Sequence, residues 1–167
     1  MDTKKILYGR KLLIVDDEPD VLQVLTEMLD MCKIDTASTF EDAKKLLETV
    51  DYDCTVLDIM GVKGFDLLAI ARKRGIPALM LTAHALTEES LYMSVQDGAS
   101  YFAPKDLMHE IEVFLADVLE AQEKKKNPWV RWSKRLGDFY DKRFVGTDWR
   151  KKEEDFWKKK LKDYSGL

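Results

Sequence analysis

The sequence predicts an α/β fold: a doubly wound sheet of five parallel strands, followed by a helical C-terminal extension. Three observations carry this. Short apolar runs alternate with stretches of helical periodicity, five times over. The runs are near-continuous rather than alternating, as strands covered on both faces require. The composition then breaks near residues 120–128, at "EAQEKKKNP", beyond which basic and aromatic residues dominate.

Taken in order, "KLLIV" (11–15) is the first strand. Pro19 suits the first turn of a helix, in which Val21, Leu22, Val24, Leu25, Met28 and Leu29 recur at helical spacing. "IDTAS" (34–38) is a weaker second strand. Thr39 caps a helix whose inner face is Phe40, Ala43, Leu46, Leu47 and Val50. "CTVLD" (54–58) is the third strand, and "GFDLLAIARKRG" (64–75) a helix ended by Gly75. "PALMLTA" (77–83) is the fourth strand. Thr87 caps "EESLYMSVQDG", which Gly98 ends. "SYFA" (100–103) is the fifth strand, and "KDLMHEIEVFLADVLEAQEKKK" reads as one long helix. Strands at this spacing with intervening helices pair in parallel through right-handed crossovers.

In the extension, Asn127-Pro128 opens a helix carrying Trp129, Trp132, Leu136 and Phe139, with Tyr140 and Phe144 beside them. Gly146 ends it. Thr147 caps a second amphipathic pattern of Trp149, Phe156, Trp157, Leu161 and Tyr164. Nine of the chain's 17 Phe, Trp and Tyr lie here, all four Trp among them, too many to leave exposed. The expectation is an ordered segment buried against something.

The chain has 167 residues, enough for one ordinary core, residues 1–122, plus an appendage, residues 123–167. At 46% hydrophobic and 35% charged it reads as soluble and globular. No run approaches the ~18 apolar residues of a membrane span, and the N-terminus lacks a signal-peptide pattern. The expected location is cytoplasmic. Cys32 and Cys54, both among apolar neighbours, are expected as reduced thiols. Residues 121–167 hold 15 Lys+Arg against 8 Asp+Glu, a net +7, and residues 1–120 hold 12 against 23, a net −11.

In open doubly wound sheets ligands bind beyond the carboxyl ends of the strands, at the topological switch point. Those ends are chemically loaded. Strand one runs into Asp16-Asp17, strand three ends in Asp58, strand four in Thr82-Ala83, and strand five leads to Lys105 with Phe102 three residues before it. Carboxylates converging on one edge raise one another's pKa unless a cation shares the site. A hard, oxygen-preferring ion such as Mg²⁺ meets that need. Lys105 adds a point charge and Thr82 a hydroxyl donor for phosphoryl oxygens. A carboxylate can itself accept a phosphoryl group covalently, a transfer that needs mainly positioning and charge neutralisation.

"LLIVDDEPDVL", "VLDIM…GFDLL", "LMLTAHA" and "GASYFAPKD", in that order and spacing, resemble the receiver domain of two-component response regulators over residues 9–122. The resemblance implies a flavodoxin-like sheet of order 2-1-3-4-5. It implies Asp58 as phosphoacceptor and Mg²⁺ held directly by Asp17 and Asp58, by Asp16 mostly through water, and by the Met60 backbone carbonyl. It implies Thr82, with Ala83, and Lys105 as phosphoryl-binding groups, Thr82 and Phe102 as the switch pair, and His84 as a tuner of phosphate lifetime. The implied partners are a histidine kinase or phosphotransfer protein. A homodimer is implied through the face of the helix after Thr87, the fifth strand and the following helix. The sequence departs from the family in a short loop after Asp58, where Gly61 stands in a usual proline position and Gly64 comes early, and in Asp106 after Lys105.

Rival readings exist. An aspartate-nucleophile phosphatase would also use Mg²⁺, but normally places a second acid where Met60 stands. A binding scaffold would use the fold without phosphorylation. For the tail, packing on the receiver or on a second copy competes with a switched protein-docking surface and with contact to nucleic acid or an anionic membrane.

Overall fold

Five parallel strands form one sheet: β1 (Lys11–Val15), β2 (Lys33–Ala37), β3 (Cys54–Asp58), β4 (Ala78–Thr82) and β5 (Tyr101–Pro104), in the order β2-β1-β3-β4-β5. The computed structural model describes residues 2–162. Tyr164, assigned above to the second tail pattern, lies outside them. Every residue of β3, β4 and β5 is buried, whereas β2, at one edge, is half-exposed. Order reverses between β1 and β3, which opens a crevice at their carboxyl ends.

The helices are α1 (Thr3–Leu7), α2 (Pro19–Met28), α3 (Phe40–Thr49), α4 (Gly64–Lys73), α5 (Glu88–Gln96), α6 (Ile111–Glu123), α7 (Pro128–Arg143), α8 (Trp149–Lys152) and α9 (Glu154–Lys160). Pro19 opens α2, as its fixed φ favours. Thr39 Oγ1 accepts from Asp42 N at 3.2 Å, and Thr87 Oγ1 from Ser90 N at 3.1 Å, so both expected caps form. Cys54 is buried and Cys32 half-buried. Burial pushes their thiols up to about 12 and about 11, which keeps both protonated.

Three elements differ from the sequence reading. Helix α1 was not expected. It has five residues, too few for a period to show, yet Leu7 is fully buried and the helix packs on α6. Residues 105–126 do not form one helix. Lys105–Glu110 is a 3₁₀ segment with Leu107 off helical geometry, and α6 begins only at Ile111. The tightening accompanies the retention of Lys105 in the strand-end crevice. Thr147 does not cap the last pattern either: its hydroxyl donates to the Phe144 carbonyl, Asp148 stands at the cap position, and the helix breaks at Glu153. A straight helix would set Trp149 and Trp157 about 12 Å apart along its axis. The break brings their rings to 5.2 Å.

The extension packs along β5 and α6. Asn127 caps α7 by accepting from Trp129 N, with Pro128 in the first turn. Trp132, fully buried, is the hub of an aromatic cluster. Its ring centroid lies 5.1 Å from Trp129, 5.3 Å from Tyr140, 6.0 Å from Trp157 and 6.2 Å from Trp149. This cluster is continuous with the core around the sheet. Among the described residues no helix is long and apolar enough to cross a membrane.

Candidate functional site

Strand β1 delivers Asp16 to the crevice, 2% exposed. There its Oδ1 accepts from Glu18 N at 2.9 Å, which turns the chain sharply into α2. Asp17, next to it, is exposed. Strand β3 ends on Asp58, 4% exposed. The loop that follows is short because two glycines allow it. Gly61 has φ +87°, and a Cβ there would lie 2.4 Å from the Asp17 carboxylate. At Gly64, the first residue of α4, a Cβ would lie 2.2 Å from the Asp58 carbonyl oxygen. Any larger residue at 64 would push α4 away from the acceptor strand.

From the far side, Lys105 reaches back from the end of β5. Its Nζ lies 2.8 Å from Asp16 Oδ2, 3.0 Å from Glu18 Oε1 and 3.5 Å from Asp58 Oδ1. Asp16, Asp58 and Lys105 therefore share one small volume. Asp17 joins it from the β1 side, since oxygens of Asp16, Asp17 and Glu18 lie within 4.8 Å of one another. Glu18 is the member that sequence reasoning missed. Its only signal was the third acid of "DDE", which otherwise reads as a helix entry.

Thr82 is fully buried, one residue past the β4 partner of Asp58, and its hydroxyl accepts from Ala85 N at 3.0 Å. Ala83 and His84 are exposed beyond it, and Met60 is 53% exposed. Phe102 is fully buried on β5, its ring 5.6 Å from Tyr140 of the extension. It does not enter the carboxylate cluster.

The electrostatics follow from the packing. Burial, and then the Asp16 charge, push the Asp58 carboxyl up to about 6 against the pull of Lys105. Burial also raises Asp16, although Lys105 and the Glu18 amide oppose it. For Lys105, burial acts to lower the pKa, but the hydrogen bonds it donates to Asp16 and Glu18 and the nearby carboxylate charges win and hold it above the usual lysine value. The crevice thus carries more negative charge than one lysine relieves. An all-oxygen donor set of carboxylates around such a surplus suits a hard divalent cation, and the missing Cβ of Gly61 makes the room that the Asp17 carboxylate occupies.

Residues 12–113 match the family model described as the response regulator receiver domain. The two-component response regulator ARR18 of Arabidopsis thaliana is 34% identical over 101 residues, covering 56% of this chain and 15% of that protein. The DNA-binding response regulator MtrA of Mycolicibacterium smegmatis is 30% identical over 125 residues, covering 69% of this chain and 53% of that protein. The chain thus spans about half, or less, of the length of these curated relatives. Among solved structures, a CheY-like receiver domain protein from Methanospirillum hungatei aligns with a TM-score of 0.64 at 23% identity, over 70% of this chain and 98% of that one, and shares the fold. With well over half of its length matched by that model, the chain belongs to the response regulator receiver domain family.

Proposed function

We propose that this chain accepts a phosphoryl group on Asp58 from the phosphohistidine of a histidine kinase or phosphotransfer protein. The observation that carries this reading is the convergence of the Asp16 and Asp58 carboxylates on the Lys105 Nζ, at 2.8 and 3.5 Å, at the sheet's switch point. An Asp58 carboxylate oxygen attacks phosphorus. The new P–O bond forms as the P–N bond to the donor imidazole breaks, and the freed imidazole takes a proton from water. The chemistry that a bound Mg²⁺ supplies here is neutralisation of the carboxylates and of the transferring oxygens. Asp16, Asp17 and Asp58, with the Met60 backbone carbonyl, are the groups of this chain that would hold it.

Lys105 exchanges its hold on Glu18 for a phosphoryl oxygen, while Asp16 keeps it in place. Thr82 gives up its bond from Ala85 N and turns its hydroxyl toward the new group, with Ala83 beside it. Phe102 on the neighbouring strand repacks as Thr82 moves. His84, exposed at the mouth, governs how readily water reaches the aspartyl phosphate. The chain in this reading is a phosphoacceptor signalling protein and not a turnover enzyme.

Incubation with Mg²⁺ and acetyl phosphate, followed by intact mass measurement, tests it. The expected product carries one phosphoryl group, is absent in Asp58→Asn, and is at least tenfold reduced in Lys105→Ala. A label that survives Asp58→Asn would rule out the assignment.

A further inference from the structure

The face built by α5, β5 and α6 is covered by the chain's own extension, and each element is held differently. On β5, the Trp132 indole and the Tyr140 hydroxyl both donate to the Phe102 carbonyl, at 2.9 and 3.0 Å. The Trp129 indole donates to the Ala99 carbonyl, just before the strand, at 3.0 Å. On α6, Arg135 grips the buried Asp117 with bonds of 2.6 and 3.0 Å. On α5, Tyr92 packs on Phe156 with ring centroids 4.6 Å apart, and Lys152 pairs with Glu88 at 2.5 Å.

β5 also leads into the acceptor crevice. Phe102 is three residues before Lys105, and Pro104 stands beside Thr82 on β4. One four-residue strand therefore carries the tail's anchor at its centre and the crevice lysine at its end. We propose that the α5–β5–α6 face is an interaction surface whose resident partner is residues 128–160 of the same chain, so that filling the acceptor site is read by the extension within one molecule and not by the pairing of two copies. This rests on Asp58 being the acceptor.

Magnitudes decide against release of the extension. Aromatic side chains bury about 150–250 Å² each, and Trp129, Trp132, Tyr140, Trp149 and Trp157 are all at most 7% exposed. Undocking would return much of that area to water. Coupling between two sites in a protein typically changes an equilibrium by about 5–150-fold, far too little to reverse such burial. The extension stays on β5 and responds by repacking around Trp132.

The chain carries its own reporter, because all four tryptophans lie in the extension. Full-length protein is labelled with Mg²⁺ and acetyl phosphate. The labelled fraction is read by intact mass, the particle mass by light scattering, and the tail by tryptophan emission. The labelled protein is expected to keep the mass of one chain, 19.4 kDa, while its emission changes in proportion to labelling. Trp132→Phe, which keeps an aromatic ring, is expected to label equally and lose more than half of that change. Tyr140→Phe, which removes only the hydroxyl donor to Phe102, is expected to reduce it. A mass that doubles on labelling overturns the proposal, as does emission that stays constant in fully labelled protein or a full response in Trp132→Phe. A protein that takes no label fails instead at Asp58, and the mass spectrum tells the two failures apart.

Discussion

Asp58 is held in the folded chain at a cost. Its carboxyl titrates near 6 instead of the ordinary 3.8, because burial and the Asp16 charge disfavour its ionised form. The folded state therefore binds protons more tightly at this group than the unfolded state does. Its contribution to stability is full below pH 3.8 and is lost as the pH rises through 6. Asp58→Asn removes the penalty. Without divalent metal at pH 7, the variant is expected to be more stable by about 2 kcal/mol, a rise in Tm of about 4–8 °C. The gain should vanish by pH 3.5, and thermal melts at the two pH values check it. A Tm for Asp58→Asn equal to or below wild type at pH 7 would refute the account of the crevice as charge-frustrated. Glu18 shows the limit of reading such a site from sequence. Three adjacent acids give no sign of which will face a lysine 87 positions away, and only the Asp16 turn fixes that direction.

Among the elements, α7 is where one ion pair fixes a register. Asp117 is 1% exposed and is held by Arg135 and by the Tyr101 hydroxyl at 2.6 Å. Arg135→Ala would leave that carboxylate buried with one partner. Losing one side of a buried pair costs ~3–5 kcal/mol. Arg135 is itself about a third exposed, so solvent reduces this to about 2–3 kcal/mol. The variant's Tm is expected to fall by about 5–10 °C, with Arg135→Lys intermediate because an ammonium cannot make both bonds in the same plane. Strands and caps were legible where the signals are local: apolar runs for β1, β3 and β4, Thr39 and Thr87 at helix starts of the receiver, and Asn127-Pro128 at the start of the extension. What stayed hidden was set by distant partners. α1 exists because Leu7 finds α6, Lys105–Glu110 tightens as Lys105 is held by Asp16 and Glu18, and the break at Glu153 lets Trp149 and Trp157 meet. The tail's burial was predictable from its aromatic load, but its chosen face was not.

For the molecule as a whole, the continuity of the aromatic cluster with the sheet core predicts one cooperative unit. Tryptophan emission reports only the extension, whereas far-ultraviolet circular dichroism reports mostly the strands and helices of the front piece. The two melting curves are expected to coincide within about 1 °C of Tm, well inside the ~2–4 °C that 1 kcal/mol produces at this size. A tail transition several degrees earlier would show that the extension is a separate, weaker unit.

The indole and phenol groups seated on the Phe102 carbonyl have a last consequence. A sheet polymerises by strand addition only if it can grow from both sides. Here one flank is stoppered by the chain itself, which leaves β2, bearing Lys33 and Asp35, as the one uncovered rim of the sheet among the described residues. Misassociation along the backbone then terminates at a pair back to back, and fibre growth has no second end from which to continue.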